Sequence, residues 1–476
     1  MSYEAVIGLE IHVQLNSPTK LFCDCANAFT EKANVHICPT CIWLPGAVVQ
    51  LSADALEKAA LTCLALGCDI SERSAFDQKV YYYPDLPKGF QLSQHHRPLA
   101  TGGWVDIASE DGSERRIRIH HIHMEEDVAR LVHETEGRRR IGLVDFNRAG
   151  APLVEIVTEP NIRNGHDAMA FLRALRTRIR YAKTAECSME SGTMRCDANI
   201  SIRPAGSEQF FSKVEVKNMN SVRAVGNAVA YEISRQQKLI ESGEAVVTHT
   251  RLWDPDKNVT TPMRDKFEGP CIPDPAVAEI RMDEKRVEEL RKQLPEMPSA
   301  KKERFVRDYG LGGEEASLMS AERDVADYFE AVAEKGVNAR LAAQWISGRL
   351  FPFLKEKNRE IDDGAITAEQ AAGLLGLLED ESVNAKQGRE ILALLIDSGK
   401  SASEIADEKG FRQITSRDEL SALLDAVMAE NPDAVANLRA GKKQASGFII
   451  GQAMQKSGGK ANPKMLSELL AEKNKP

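Results

Sequence analysis

The sequence predicts an α+β protein: a strand-rich N-terminal domain, an all-helical domain, and a small helical tail. Three observations carry this. Residues 3–15 and the stretches 117–127 and 145–160 alternate apolar and polar side chains with the period of two that a strand imposes. After Ile280 the pattern turns helical, broken at Pro295, Pro298, Gly310–Gly313 and Gly336. Past residue 400 the charge becomes uneven, and residues 441–476 hold seven lysines against Glu468 and Glu472. A chain of 476 residues is too long for one core, which places domains at 1–294, 295–402 and 403–476.

The first strand, 3–15, puts Ile7, Leu9, Ile11 and Val13 on a core face, with Glu10 and His12 side by side on the other. That second face suits either solvent or a binding site. Next come Cys23-Asp-Cys25 and Cys38-Pro-Thr-Cys41, two close cysteine pairs in a loop. This spacing fits a structural zinc ion held by four thiolates, with no open coordination position. Cys63, Cys68, Cys187, Cys196 and Cys271 show no ligand spacing and are expected in the core. Residues 51–66 read as an amphipathic helix ending near Gly67. The run Tyr81-Tyr-Tyr-Pro-Asp-Leu-Pro-Lys88 is an irregular loop enforced by Pro84, Pro87 and Gly89. Lys79 and Lys88 flank its aromatics, which suits a nucleotide surface as well as a loop packed by its own tyrosines.

In 117–127 the residues Ile117, Ile119, His121, His123 and Glu125 share one parity, as do Leu153, Glu155, Val157 and Glu159 further on. A carboxylate in an apolar strand is costly unless paired, hydrogen-bonded or bound to a metal. Glu10, His12, Glu125 and Glu155 are therefore candidates to converge on one hard cation, for which Mg²⁺ suits mostly carboxylate oxygens completed by water. A helix is expected at 165–183, a strand at 194–203 with Arg195, Asp197 and Asn199 on one face, and a further strand carrying Lys213, Glu215 and Lys217. A long helix follows to about Gln237. The lysine-rich, glycine-punctuated tail suits a grip on a nucleic-acid backbone, and equally a solvated helix surface.

Net charge −9 and pI ≈ 5.7 argue against a protein that coats nucleic acid along its whole surface. The cysteine usage fits a reducing, cytoplasmic setting. No signal peptide or membrane span is expected. There is no P-loop, no dinucleotide-binding glycine fingerprint and no nucleophile elbow in the sequence.

Several motifs together resemble one family. They are Ile7-Gly-Leu-Glu-Ile-His-Val-Gln-Leu15, the four-cysteine loop, Tyr81-Tyr-Tyr-Pro-Asp-Leu-Pro-Lys88 and His123-Met-Glu-Glu-Asp127. Asn147-Arg-Ala-Gly-Ala-Pro-Leu-Val-Glu-Ile-Val-Thr-Glu-Pro160, Arg195-Cys-Asp-Ala-Asn199, Val216-Lys-Asn-Met-Asn-Ser221 and Gly447-Phe-Ile-Ile-Gly-Gln-Ala-Met454 extend the match along nearly the whole chain. The chain resembles the B-subunit family of glutamine-dependent aspartyl/glutamyl-tRNA(Asn/Gln) amidotransferases.

The resemblance implies an ATP-dependent ligase subunit in a heterotrimer with an amidase-type A subunit and a small C subunit. It would phosphorylate the side-chain carboxylate of Glu on tRNA(Gln), or of Asp on tRNA(Asn), and amidate it with ammonia from glutamine. By motif, Glu10, His12, Glu125 and Glu155 would hold magnesium, Cys23, Cys25, Cys38 and Cys41 would hold zinc, and Lys79, Tyr82, Lys88, Asp197 and Lys217 would line the nucleotide site and the ammonia path. The strand-rich domain, 1–294, would be a cradle-like catalytic domain, and the tail, 403–476, would bind tRNA. Two stretches depart from the family: Phe267-Glu-Gly-Pro-Cys-Ile-Pro-Asp-Pro-Ala276 lacks its aromatics and final acid, and Ile42-Trp-Leu-Pro-Gly46 replaces its usual Leu-Gly-Leu-Pro-Gly. These leave open a divergent paralogue that serves as a tRNA-binding scaffold or amidates another carrier-bound carboxylate.

Overall fold

The computed structural model describes residues 2–263, 269–361, 363–396, 398–414, 416–439 and 442–474. Phe267 and Glu268 of the divergent stretch, and Gly441 and Lys475 of the tail, lie outside the described residues. The chain forms two compact units, Met1–Pro298 and Ser299–Pro476. The first is strand-rich and the second helical, which is the predicted α+β class.

The first unit is built on a ten-stranded sheet. Its middle places Glu114–Glu126, Pro152–Thr158, Tyr3–Gln14, Met194–Pro204 and Val214–Lys217 side by side, followed by His249–Asp254 and Val259–Pro262. The pairings are antiparallel except for Val214–Lys217 with His249–Asp254, which run parallel. The helix Val222–Glu241 makes the crossover between those two strands.

One face of this sheet is apolar throughout. Ile7, Leu9, Ile11 and Val13 are fully buried there, beside Val154, Ile156, Ala198 and Ile200. Helices Ala53–Ala65, Gly165–Tyr181 and Val222–Glu241 contribute to the same core. Each buried aliphatic side chain contributes roughly 1.5–3 kcal/mol. Each helix starts on a capping side chain, Ser52, Asn164 or Ser221, that accepts a backbone N–H of its first turn. The last two helices cross closely, because a Cβ on Gly165 would sit 2.4 Å from the Gly226 carbonyl oxygen.

The strand Glu114–Glu126 departs from the predicted parity. Val157 pairs with His121, yet Thr158 pairs with Ile119, so His120 is an extra residue in a bulge. Ile117 and Ile119 therefore join the buried core, paired in part with Val105, while His121, His123 and Glu125 lie on the opposite face. Simple alternation cannot reveal such an insertion. A second difference lies at 130–145. The sequence reads there as a basic turn, but Arg130–Glu136 and Arg139–Asp145 form a two-stranded hairpin about Gly137, at φ +62°. Most of its side chains are exposed, so no apolar alternation marks it.

A small separate sheet pairs Arg73–Val80 with Phe90–Arg97, and the tyrosine loop joins the two. Its second strand lies over the end of the acidic strand, where Gln91 Nε2 donates to the Glu126 carbonyl (2.6 Å) and Gln94 Oε1 accepts from Met124 N–H (2.9 Å). The described part of the divergent stretch packs here too, with Cys271–Pro273 pairing against Asp77–Lys79. Cys63, Cys68, Cys187 and Cys196 are buried as predicted, whereas Cys271 is only half-buried because it sits on this edge.

The second unit has two apolar cores. One runs from Phe305 to Ala406 and includes Phe329, Trp345, Leu374 and Ile391. The other runs from Leu420 to Leu470. Among the described residues no helix is long and apolar enough to cross a membrane.

Candidate functional site

The polar face of the large sheet carries the site. Direct cross-strand partners lie on the same face of a sheet. His12 is opposite Glu155 on one side and Arg195 on the other, and Glu155 is in turn opposite His123. One row therefore reads His123, Glu155, His12, Arg195. Glu10 pairs with Asp197, and Leu153 brings Glu125 to the same face. The four residues predicted to hold a cation thus come together from three strands far apart in sequence.

Their side chains meet. His12 Nε2 stands 3.3 Å from Glu125 Oε1, 3.3 Å from Glu155 Oε2 and 4.0 Å from Glu10 Oε1. His123 Nε2 approaches the same Glu155 oxygen at 3.3 Å. Glu125 and Glu155 are buried, and Glu10 is partly open. Potential ligand atoms of Glu10, His12 and Glu155 lie within 4.8 Å of one another, as do those of His123, Glu125 and Glu155. The residues predicted from sequence include the first set and omit His123. Its signal is present, two residues before Glu125 on the same parity.

The electrostatics are those of buried carboxylates and imidazoles that share charge. Burial and the neighbouring Glu155 raise the Glu10 carboxyl to about 6. Burial also raises Glu125, against the pull of His12. Burial by itself would lower His12, but Glu125 and Glu155 raise it to about 9. Burial opposes ionisation of Glu155, yet His123 and His12 hold it well below the carboxylate range. Three carboxylates gathered around imidazoles match the donor set of a hard divalent ion, with water completing the shell.

Beside this cluster, Lys217 pairs with Asp197 and, at 2.8 Å, with Glu215. Arg195 reaches Asp127 at 3.1 Å, and Arg148 reaches it at 3.4 Å. Lys79 lies close enough for its charge to act on Glu125 and His123. Tyr82 is largely exposed and covers Gly89. Lys88 is buried against Trp43, 4.4 Å from the ring centroid, and ion-paired with Glu126. Lys79, Asp197 and Lys217 thus border the acidic cluster, while Lys88 is committed to a buried pair behind it. A cavity of about 20 Å³, room for one water, is lined by Lys88, Glu126, Trp43 and Cys41.

The cysteine loop forms a separate centre. The sulfurs of Cys23, Cys25, Cys38 and Cys41 lie within 4.8 Å of one another. Cys38 and Cys41 are 3.8 Å apart, and Cys25 and Cys41 are 4.0 Å apart. A zinc–sulfur distance of about 2.3 Å makes the edge of a thiolate tetrahedron about 3.8 Å. A disulfide would need about 2.0 Å. All four cysteines are free and half-buried, a set compatible with zinc.

In the tail, three of the lysines are ion-paired. Lys456 pairs with Glu430, Lys464 with Glu381 and Lys473 with Asp425, all at the surface.

Comparison with known proteins matches residues 5–288 to the GatB/GatE catalytic domain and residues 327–473 to the GatB domain. The chain is 58% identical over 473 residues to the first of the aspartyl/glutamyl-tRNA(Asn/Gln) amidotransferase B subunits of Syntrophus aciditrophicus, covering 99% of both chains. It is 42% identical to the corresponding B subunit of Carboxydothermus hydrogenoformans, covering 99% of this chain and 98% of that one. It is 41% identical to that of Moorella thermoacetica, over 99% of this chain and all of the other. None of these observations supports the divergent paralogue. Matched by both domain models and by full-length relatives, the chain belongs to the GatB/GatE family of amidotransferase B subunits.

Proposed function

We propose that the polar face of the large sheet carries out ATP-dependent amidation of Glu-tRNA(Gln), Asp-tRNA(Asn) or both. The observation that carries this is the convergence of Glu10, His12, Glu125 and Glu155 on one patch of that face. A free carboxylate is a poor electrophile toward ammonia. Transfer of the γ-phosphoryl group of ATP to a side-chain oxygen forms an O–P bond, breaks the β–γ bridge and releases ADP. Ammonia then attacks the acyl carbon, the C–O bond to phosphate breaks, and inorganic phosphate leaves with the amide formed.

A magnesium ion held by Glu10, His12, Glu125 and Glu155 would neutralise charge on the transferring phosphoryl group. Lys79 and Lys217 border that patch, where they offer donors to phosphate oxygens, and Asp197 holds the Lys217 ammonium in place. Tyr82 presents an open ring over Gly89, next in sequence to Lys88. Lys88, with Glu126, fixes the end of the acidic strand against the zinc loop, beside the small cavity that suits a path for ammonia. The four cysteines hold a structural zinc. Ammonia comes from glutamine through an amidase-type A subunit, with a small C subunit completing the assembly in the cytoplasm. The tail, 403–476, grips tRNA, exchanging its exposed lysine–carboxylate pairs for phosphate contacts.

The test is mass spectrometry of aminoacyl-tRNA after incubation with the A and C subunits, ATP and ammonium. The wild type converts Glu-tRNA(Gln) or Asp-tRNA(Asn) to the amide, and Glu125→Ala does not. Full amidation by Glu125→Ala would overturn the assignment, and no product from the wild type on either tRNA would overturn the function.

A further inference from the structure

Of the described charged side chains with no exposure that the proposed reaction leaves unused, Asp167 and Glu232 are paired with arginines, whereas Lys20 has no such partner. Its side chain is fully enclosed, at 0% exposure. Its ammonium donates to two backbone carbonyls, His36 O at 2.7 Å and Phe146 O at 3.1 Å, and makes no ion pair with a carboxylate among the described residues. A buried ammonium held only by neutral acceptors is a costly arrangement, and buried charges are ordinarily matched by an opposite one.

The cysteine cluster lies beside the Lys20 stem. A Cβ built on Gly150 would touch both the Lys20 stem, at 3.5 Å, and Cys41 Cβ, at 3.9 Å, so the two side chains flank the same point. Four thiolates around one Zn²⁺ carry a net charge of −2. We propose that Lys20 is the counter-charge of this zinc centre. The inference rests on the reading that the four cysteines hold zinc.

The coupling runs both ways. With zinc bound, the ammonium offsets part of the surplus charge and stabilises the thiolates. Without zinc, the cysteines return toward neutral thiols and Lys20 is left buried without compensation. Lys20 also ties the zinc loop to the turn at 146–151. Leu21 N–H donates to Gly150 O (2.7 Å), Gly150 N–H donates to Asp127 O (2.9 Å), and Asp127 holds Arg195 on the catalytic face.

The experiment uses the full-length chain and two variants, Lys20→Met and Lys20→Gln. Zinc affinity is read by competition with a chromophoric chelator, and melting temperature is read with and without zinc. Both variants bind zinc at least tenfold more weakly than wild type. In the zinc-free protein the order inverts, and Lys20→Met melts at or above wild type. Gln can still donate to the two carbonyls, so wild-type affinity in Lys20→Gln would show that hydrogen bonding matters and would overturn the counter-charge. Zinc-bound wild type with no difference in either variant would overturn it as well. A wild type that takes up no zinc would overturn the zinc reading itself, and Lys20 with it.

Discussion

The first unit builds its two proposed ion centres by opposite means. The cysteine centre is local: its four sulfurs come from residues 23–41, in a loop with no regular strand or helix of its own. The carboxylate centre is global: Glu10, Glu125 and Glu155 lie on three strands whose alignment is set by the register of the sheet. As proposed, the local centre would use soft ligands, fill every coordination position and hold a loop in place. The global centre would use hard ligands, gathering like charges that lean on His12 and His123. The first kind of site adds to stability, and the second draws on it.

Removing a ligand from each centre tests that contrast, and the largest effect belongs to the global one. Glu155→Gln should lower amidation by about a thousandfold, the scale lost when a charge-stabilising group is taken from a transition state. Melting temperature should fall by only a few degrees, because the ionised Glu155 loses its favourable contacts to His12 and His123 while its burial is relieved. Calorimetry showing a collapse in stability instead would make Glu155 a fold residue. Cys38→Ser reverses the pattern. Elemental analysis should show stoichiometric zinc in the wild type and little in the variant, with melting lowered by about 5–10 °C, equivalent to a few kcal/mol in a unit of this size. Retained zinc would break the tetrahedral reading.

The smallest effect should come from a pair that serves neither centre. Side-chain hydrogen bonds from Arg73, and then from Arg97 and Arg281, hold the Glu279 carboxyl down at about 2. A depressed carboxyl stabilises the fold above its ordinary value near 4.5, and that contribution is lost as pH falls toward 2. Glu279→Gln should therefore shift melting by only a degree or two at pH 7, since exposed pairs are well screened. The difference from wild type should vanish in acid. A shift that persists at pH 2 would mean the residue acts through packing.

How much of this is legible in the sequence depends on the same distinction. The cysteine centre can be read from spacing alone because its ligands are neighbours in sequence. The core face of the first strand can be read because Ile7, Leu9, Ile11 and Val13 alternate without interruption. Glu10, His12, Glu125 and Glu155 are each visible as polar groups on strands, but their meeting depends on strand order, which periodicity does not encode. His123 loses its appeal as a ligand once zinc is assigned to the cysteines, and only the register shows it beside Glu155. Lys20 gives no signal, since a single lysine in a loop normally points to solvent. The hairpin at 130–145 is hidden because polar strands show no alternation.

The bulge at His120 has a consequence for how this strand tolerates change. Before it, odd-numbered positions belong to the core, as Ile117 and Ile119 do; after it, odd-numbered positions belong to the chemistry, as His123 and Glu125 do. The strand thus carries two reading frames joined by one residue. Taking out His120 would set Ile119 next to His121, and plain alternation would then keep both faces as they are. One more residue between Ile119 and Glu125, without a second bulge, would instead turn one half of the strand over, putting isoleucines among the acids or glutamates in the core. The strand can lose a residue at this point more easily than it can gain one beside it.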